Sequence, residues 1–319
     1  LRPFYRVEDN SMLELEAPRH TRLRGLVLRA FTSRRIAGLA PDIAALAHRL
    51  VDDFPQGEVD LLPAFCQPIP VIVIARLLGV PDSMAPQLLA WSNAMVAMYQ
   101  ARRTRAIEDA ATRAALDFAL FLADYIDRRR HDPRDDLLTA LIAAEEAGER
   151  LDRDELIATC ILLLNAGHEA TVHSLGNGIK ALLETGTAIT DANAAPVVEE
   201  ILRHDPPLHM FTRYAYEDAE LFGHRFVHGD KVGLLLGAAG RDPQVYEDPH
   251  RFDPARAAPA HHAFGGGPHF CVGAPLARLE LTVALPILFA RLPGLRLSRP
   301  PRYGDVYHFH GLESLPVRC

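Results

Sequence analysis

Cys271 follows a glycine-rich loop, Gly265, Gly266 and Gly267, and opens a segment in which Leu276, Leu279, Val283 and Ile287 recur at helical spacing. A helix N-terminus presents unpaired N–H groups, and their positive potential favours ionised sulfur. The spacing therefore predicts a thiolate at Cys271. Glycines lack a Cβ, so the backbone can come close to that sulfur and to a flat ligand held by it. Such a thiolate can be a nucleophile, a redox thiol or a metal ligand, and metal ligation accounts best for the surroundings. The plain alternative is a buried loop cysteine acting as a small core residue.

Three other groupings carry chemistry. Asn165, Ala166, Gly167, His168, Glu169, Ala170 and Thr171 interrupt a long apolar run. A small Ala-Gly pair in a buried helix admits a ligand or bends the helix, and a buried Glu beside it is costly without a purpose. Glu200 and Arg203 stand at i, i+3 and can form a bidentate pair. His20 and Arg24 lie one turn apart on a basic segment, where both can meet a pair of carboxylates. Arg22 and Arg29 read as a solvated basic face.

Long helices must position these residues. Leu23, Leu26, Val27 and Phe31 make an apolar stripe after Ala17-Pro18. Helical periodicity continues from Pro41 to about Gly79, broken at Pro55-Gln56-Gly57, Pro68 and Pro70, and two long helices span Pro81 to Arg130 around Arg102 to Arg105. The stretch after Leu151-Asp152 is apolar on every side for its first half, as a central buried helix is. Alternating segments from Phe211 to Pro243, with turns at Gly223 and Gly229-Asp230, read as short strands.

The 319 residues are 49% hydrophobic, with net charge −7, so a large core is available and nucleic acid is disfavoured as a partner. No run reaches the length of an apolar membrane span, and the chain reads as cytoplasmic. Cys66, Cys160, Cys271 and Cys319 are scattered without CxxC pairs, which excludes a disulfide framework. A zinc site from His261, His262, His269 and Cys271 is available by residue type but lacks closed-site spacing.

The stretch FGGGPHFCVG running into APLARLE resembles the haem-binding loop of cytochrome P450 monooxygenases at Phe264, Gly265, Gly267, His269, Cys271, Gly273, Ala277, Arg278 and Glu280. Other stretches resemble the family in order. EAPRHTRLRG is similar to its C helix, AGHEAT to its oxygen-binding I helix, and E-x-x-R at Glu200 and Arg203 to its K helix. The resemblance covers residues 11 to 319 and implies a mainly α fold with small β-sheets, one P450 domain over 1–319 that starts just before the C helix and lacks the family's N-terminal portion.

It further implies haem b with Cys271 as axial ligand and His20, Arg24, Arg213 and His269 at the propionates. Glu200 and Arg203 would be a structural ion pair behind the haem. Gly167, Glu169, Ala170 and Thr171 would form the oxygen-binding motif, with Ala170 where the family carries a threonine whose hydroxyl helps route protons and Thr171 about 100° further round the helix. Trp91, Met95, Met98, Asn165, Ala166, Leu208, Met210, Phe211 and Leu312 would line the substrate pocket, although the face of Trp91, Met95 and Met98 reads equally as core. The implied protein is a monomer that takes a small, mainly apolar organic substrate, with electrons from a ferredoxin or flavodoxin steered by the arginines between Arg19 and Arg35. A peroxide-using or otherwise atypical P450, motivated by Ala170, and a non-catalytic haem-binding protein are the alternatives.

Overall fold

In the computed structural model, which describes residues 1–100, 102–146, 151–257, 260–305 and 309–318, the apolar run after Leu151 forms one helix of 33 residues, Arg153–Thr185. Its start is fixed by a reciprocal cap: Glu155 N–H donates to the Asp152 carboxylate at 2.8 Å, and Asp152 N–H donates to Glu155 Oε2 at 3.1 Å. Gly186, at φ 66°, ends it in the left-handed conformation that a Cβ would disfavour. Leu156, Cys160, Ile161, Leu164, Leu175, Ile179 and Leu182 are buried along its length, so it is the axis of the core.

Around it pack Arg105–His131, Pro68–Leu77, Ala194–His204 and Ala274–Arg291. The basic helix Arg19–Ala30 buries Leu23, Leu26 and Val27 as its stripe requires. Arg19 Nε and Arg22 Nη2 both reach the buried Glu155 carboxylate, at 3.0 and 2.5 Å. Arg22 is thus a docking residue rather than part of a purely solvated face. One hydrophobic cluster runs from Phe4 to Val317.

The sheets are small. Glu58–Asp60, Pro316–Arg318 and Arg296–Leu297 form a three-stranded antiparallel sheet that joins the tail to the first half of the chain. Phe211–Tyr214 pairs with Lys231–Leu234, Thr212 opposite Gly233, and Ala219–Leu221 pairs with His224–Phe226. The turns at Gly223 and Gly229 have φ 74° and 93°, as the glycines suggested. Pro68 and Pro70 do not break a helix but begin Pro68–Leu77, where the first N–H groups have no helical partner to lose.

Candidate haem site

The loop before Cys271 is held by its own backbone. Cys271 N–H donates to Phe264 O at 3.0 Å and Phe270 N–H to Gly267 O at 3.0 Å. Gly265 and Gly267 take φ 69° and 68°, which is why glycine is required there. Phe264 is clamped from behind, with the Arg278 guanidinium 4.5 Å over its ring and paired through Nε and Nη2 with Glu199 at 2.6 and 2.9 Å. Nothing in the spacing pointed to Glu199, since the partner lies on another helix.

Burial pushes the Cys271 thiol up, and hydrogen bonds from the Gly273 and Ala274 backbone together with Arg24 and Arg278 only partly offset it. The donors expected at the helix start are therefore present, against the cost of burial. A bound metal ion removes that proton outright, so the site suits metal ligation better than nucleophilic or redox chemistry.

Beside the loop stands a group of bases. His20, 3% exposed, stacks on His269 with ring centroids 4.1 Å apart, and Arg24 Nη2 donates to Phe270 O at 2.6 Å. Burial, then the nearby positive charges of His269 and Arg24, hold His20 below the ordinary histidine range. His269 Nε2 is buried without a hydrogen bond, with Glu16 3.3 Å away. Crowded bases and an orphaned imidazole nitrogen fit the carboxylates of a porphyrin, and the sulfur fits its iron. Arg213 donates to its neighbour's carbonyl, Thr212 O, at 2.9 Å.

Above the core, the buried run of the central helix opens at Asn165, Ala166, Gly167, Glu169 and Ala170, with Ala166 exposed. The helix stays unbroken through Gly167, whose absent Cβ would stand 3.0 Å from Ile74 Cγ1. Gly167 therefore also allows the close approach of Pro68–Leu77. Gly167→Ala should cost about 1–3 kcal/mol by overpacking, and less in an Ile74→Ala background, which removes both Cγ1 and Cδ1, as read by urea titration. A full cost in both backgrounds would show that Ile74 is not the obstacle.

Glu169 lies 3.3 Å from His168 Nε2 and 3.5 Å from His173 Nε2. Burial opposes its charge, but hydrogen bonds and charge from the two histidines win and pull it down to about 2. Glu199 behaves alike beside Arg278 and His261, also down to about 2. Both folded values lie below the unfolded carboxylate value, so their stabilisation is complete above it and is lost as pH falls from about 4.5 towards 2. Glu199→Gln should flatten the acid limb of stability against pH measured by thermal melts, and an unchanged limb would contradict the pairing.

Thr171 is buried and turns away from Ala170 to face Glu280, which is fully buried on Ala274–Arg291. Burial raises the Glu280 carboxyl well above its ordinary range, the Thr171 contact opposing it. Glu280 thus packs against the Asn165–Thr171 stretch from the helix that Cys271 introduces. Its motif position was visible; its complete burial was not.

Behind the loop, Arg203 Nε and Nη2 each donate to Glu200 at 2.7 Å, both side chains almost fully buried. Arg203 also donates to the carbonyls of Gly240, Pro249 and Arg251, and Glu200 Oε1 accepts from Asp253 N–H at 2.7 Å. The pair therefore gathers residues 240 to 253.

Among the residues expected in a substrate pocket, Met95 and Met98 are buried in the core, and Trp91 stacks on Phe118 at 5.0 Å. Trp91 and Met98 are corrected to packing residues, because aromatic and apolar neighbours on Arg105–His131 and the core satisfy them. Met95 alone touches the central helix, at Asn165 Nδ2, 3.8 Å from its sulfur. Met210 lies on Gly233, on the Thr212 face of the strand pair, so it and Phe211 point to opposite faces. Leu208 is half-buried, and Leu312 is buried against the tail and close to Gly176. Of the imagined zinc ligands, His261 is taken by Glu199 at 3.2 Å. Cys319 lies outside the described residues.

The comparisons agree with this arrangement. The family described as Cytochrome P450 matches residues 194–292. Cytochrome P450 107B1 of Saccharopolyspora erythraea is 41% identical over 96% of this chain and 76% of its own length. The 6-deoxyerythronolide B hydroxylase of the same organism is 38% identical over 95% and 76%. The crystal structure of P450BioI in complex with hexadec-9Z-enoic acid ligated acyl carrier protein superposes with TM-score 0.94 at 33% identity, covering 99% of this chain and 83% of that one.

Proposed function

The chain belongs to the cytochrome P450 family, and on that footing we propose that it binds haem b through Cys271 and inserts one oxygen atom from O2 into a small, mainly apolar organic substrate. The observation that carries this reading is the Cys271 sulfur, hydrogen-bonded by Gly273 and Ala274 within a loop of fixed conformation beside a cluster of bases. Haem iron bound there supplies O2 activation for insertion into a C–H bond.

The protein's own residues have distinct tasks. Cys271 ligates the iron, and His20, Arg24, His269 and Arg213 receive the propionates. Glu200 and Arg203 hold the loop behind. Asn165, Ala166, Ala170 and Met95, with Leu208 and Leu312, border the substrate, while Glu169 is held between His168 and His173. A ferredoxin or flavodoxin supplies electrons to this single cytoplasmic domain, which acts as a monomer. Of the arginines first assigned to that partner, Arg19 and Arg22 are engaged by Glu155 and Arg35 by Asp135 at 3.0 Å. No helix among the described residues is long and apolar enough to cross a membrane.

A second reading, use of hydrogen peroxide, is favoured by Ala170, which has no hydroxyl, and by Glu169, which is already tied to two histidines. Turnover with a ferredoxin system is expected to be poorly coupled and to improve about 10²-fold in Ala170→Thr, the low end of the range of a positioned proton-transfer group. Peroxide turnover that exceeds ferredoxin turnover, unchanged by Ala170→Thr, would establish the second reading instead.

A further inference from the structure

Asp205, His209 and His310 each offer one ligand atom, and these atoms all lie within 4.8 Å of one another. They come from the end of Ala194–His204, the loop after it and the tail, and they share no residue with the Cys271 site. We propose that Asp205, His209 and His310 form a second metal site, for a divalent transition ion of the zinc class.

Each ligand is positioned by its surroundings. The fully buried Asn177 donates its amide to the carbonyls of both Asp205 and His310, at 3.3 and 3.0 Å, so one side chain registers two ligands. The Tyr303 hydroxyl donates to Asp205 Oδ2 and leaves Oδ1, which lies 3.1 Å from His310 Nε2. Such an outer hydrogen bond orients a ligating carboxylate. Gly237 N–H donates to His209 O at 3.1 Å, and a Cβ on Gly237 would come within 2.9 Å of His209 Cδ2, so the glycine makes room for the imidazole. His209 is exposed and stacks on His310 at 3.9 Å, with Tyr303 on the other face of His310 at 4.0 Å.

One carboxylate oxygen and two imidazole nitrogens suit Zn2+, Co2+ or Ni2+. Ligand atoms around a tetrahedral zinc stand about 3.4 Å apart, given bonds of about 2.1 Å. The cluster reaches that spacing when the exposed His209 ring turns out of its stack towards Asp205. A cavity of about 600 Å³, lined also by Lys180, Leu235 and Arg241, adjoins the three residues and gives a fourth position to water.

The test is calorimetric titration of Zn2+ into the haem-loaded, chelator-washed protein, in which iron occupies Cys271. One saturable equivalent is expected, weakened at least tenfold in His209→Ala, an exposed position whose loss leaves the fold intact. Co2+ should give the visible absorption of a tetrahedral site in the parent protein and lose it in His209→Ala. Absence of saturable Zn2+ binding, or binding and Co2+ absorption unaltered by His209→Ala, would overturn the proposal.

Discussion

Replacing Cys271 with alanine should abolish the thiolate signature of the reduced carbonyl adduct and reduce substrate oxidation to that of free haem, while leaving the haem-free protein folded. The sulfur's polar contacts are the N–H groups of Gly273 and Ala274, and Cys271 stands in a half-buried loop outside the hydrophobic cluster, so removing it leaves the core packing intact. The other described cysteines supply the contrast. Cys66 and Cys160 are fully buried, and burial pushes the Cys160 thiol up to about 12 and that of Cys66 higher still. Neither can ligate without unpacking the core. Cys160→Ala should therefore lower stability and leave the carbonyl spectrum as it was. If Cys271→Ala kept a thiolate-type spectrum, another sulfur would be the ligand and the site would be misplaced.

Breaking the ion pair at Glu200 should have the largest effect on stability. Arg203→Ala removes five hydrogen bonds and leaves Glu200 charged and buried, with only Asp253 N–H and a distant Arg256 at 3.8 Å to offset it. Loss of one partner of such a buried pair costs about 3–5 kcal/mol. Tyr246, whose ring lies 5.3 Å from the Arg203 guanidinium, loses its cation contact as well. The denaturation midpoint should fall sharply and haem retention with it, since residues 240 to 253 lead into the Cys271 loop. Glu200→Ala combined with Arg203→Ala should be less destabilised than the sum of the single variants, because no charge is then left unpaired. Additive losses in urea titrations would mean that the two side chains do not act as a unit.

The Cys271 loop, the paired Glu200 and Arg203 and the long central helix could be read directly from the sequence, because each depends on local rules. Fixed spacing and helical periodicity declare themselves within a few residues. What stayed hidden depends on chain segments far apart in sequence. Glu58–Asp60 is three residues long and exists only because Pro316–Arg318 pairs with it. Arg22 meets Glu155, Gly167 meets Ile74, and Gly311 leaves room for the ring of His173, none of which has a local signal. Pro68 and Pro70 misled because proline breaks a helix interior but not its first turn. The soft face of Trp91 and Met98 had the period of a pocket wall and of a core alike, and Phe118 decided between them. At Cys271 the helix-start donors were legible, but the burial that opposes them was not.

The most direct test is the absorption spectrum of the full-length protein, purified with haem, reduced and exposed to carbon monoxide. Ligation by Cys271 predicts the long-wavelength Soret band of a thiolate-bound carbonyl adduct. A colourless protein, or a band at the shorter wavelength of a histidine-bound adduct with Cys271 intact, would contradict it.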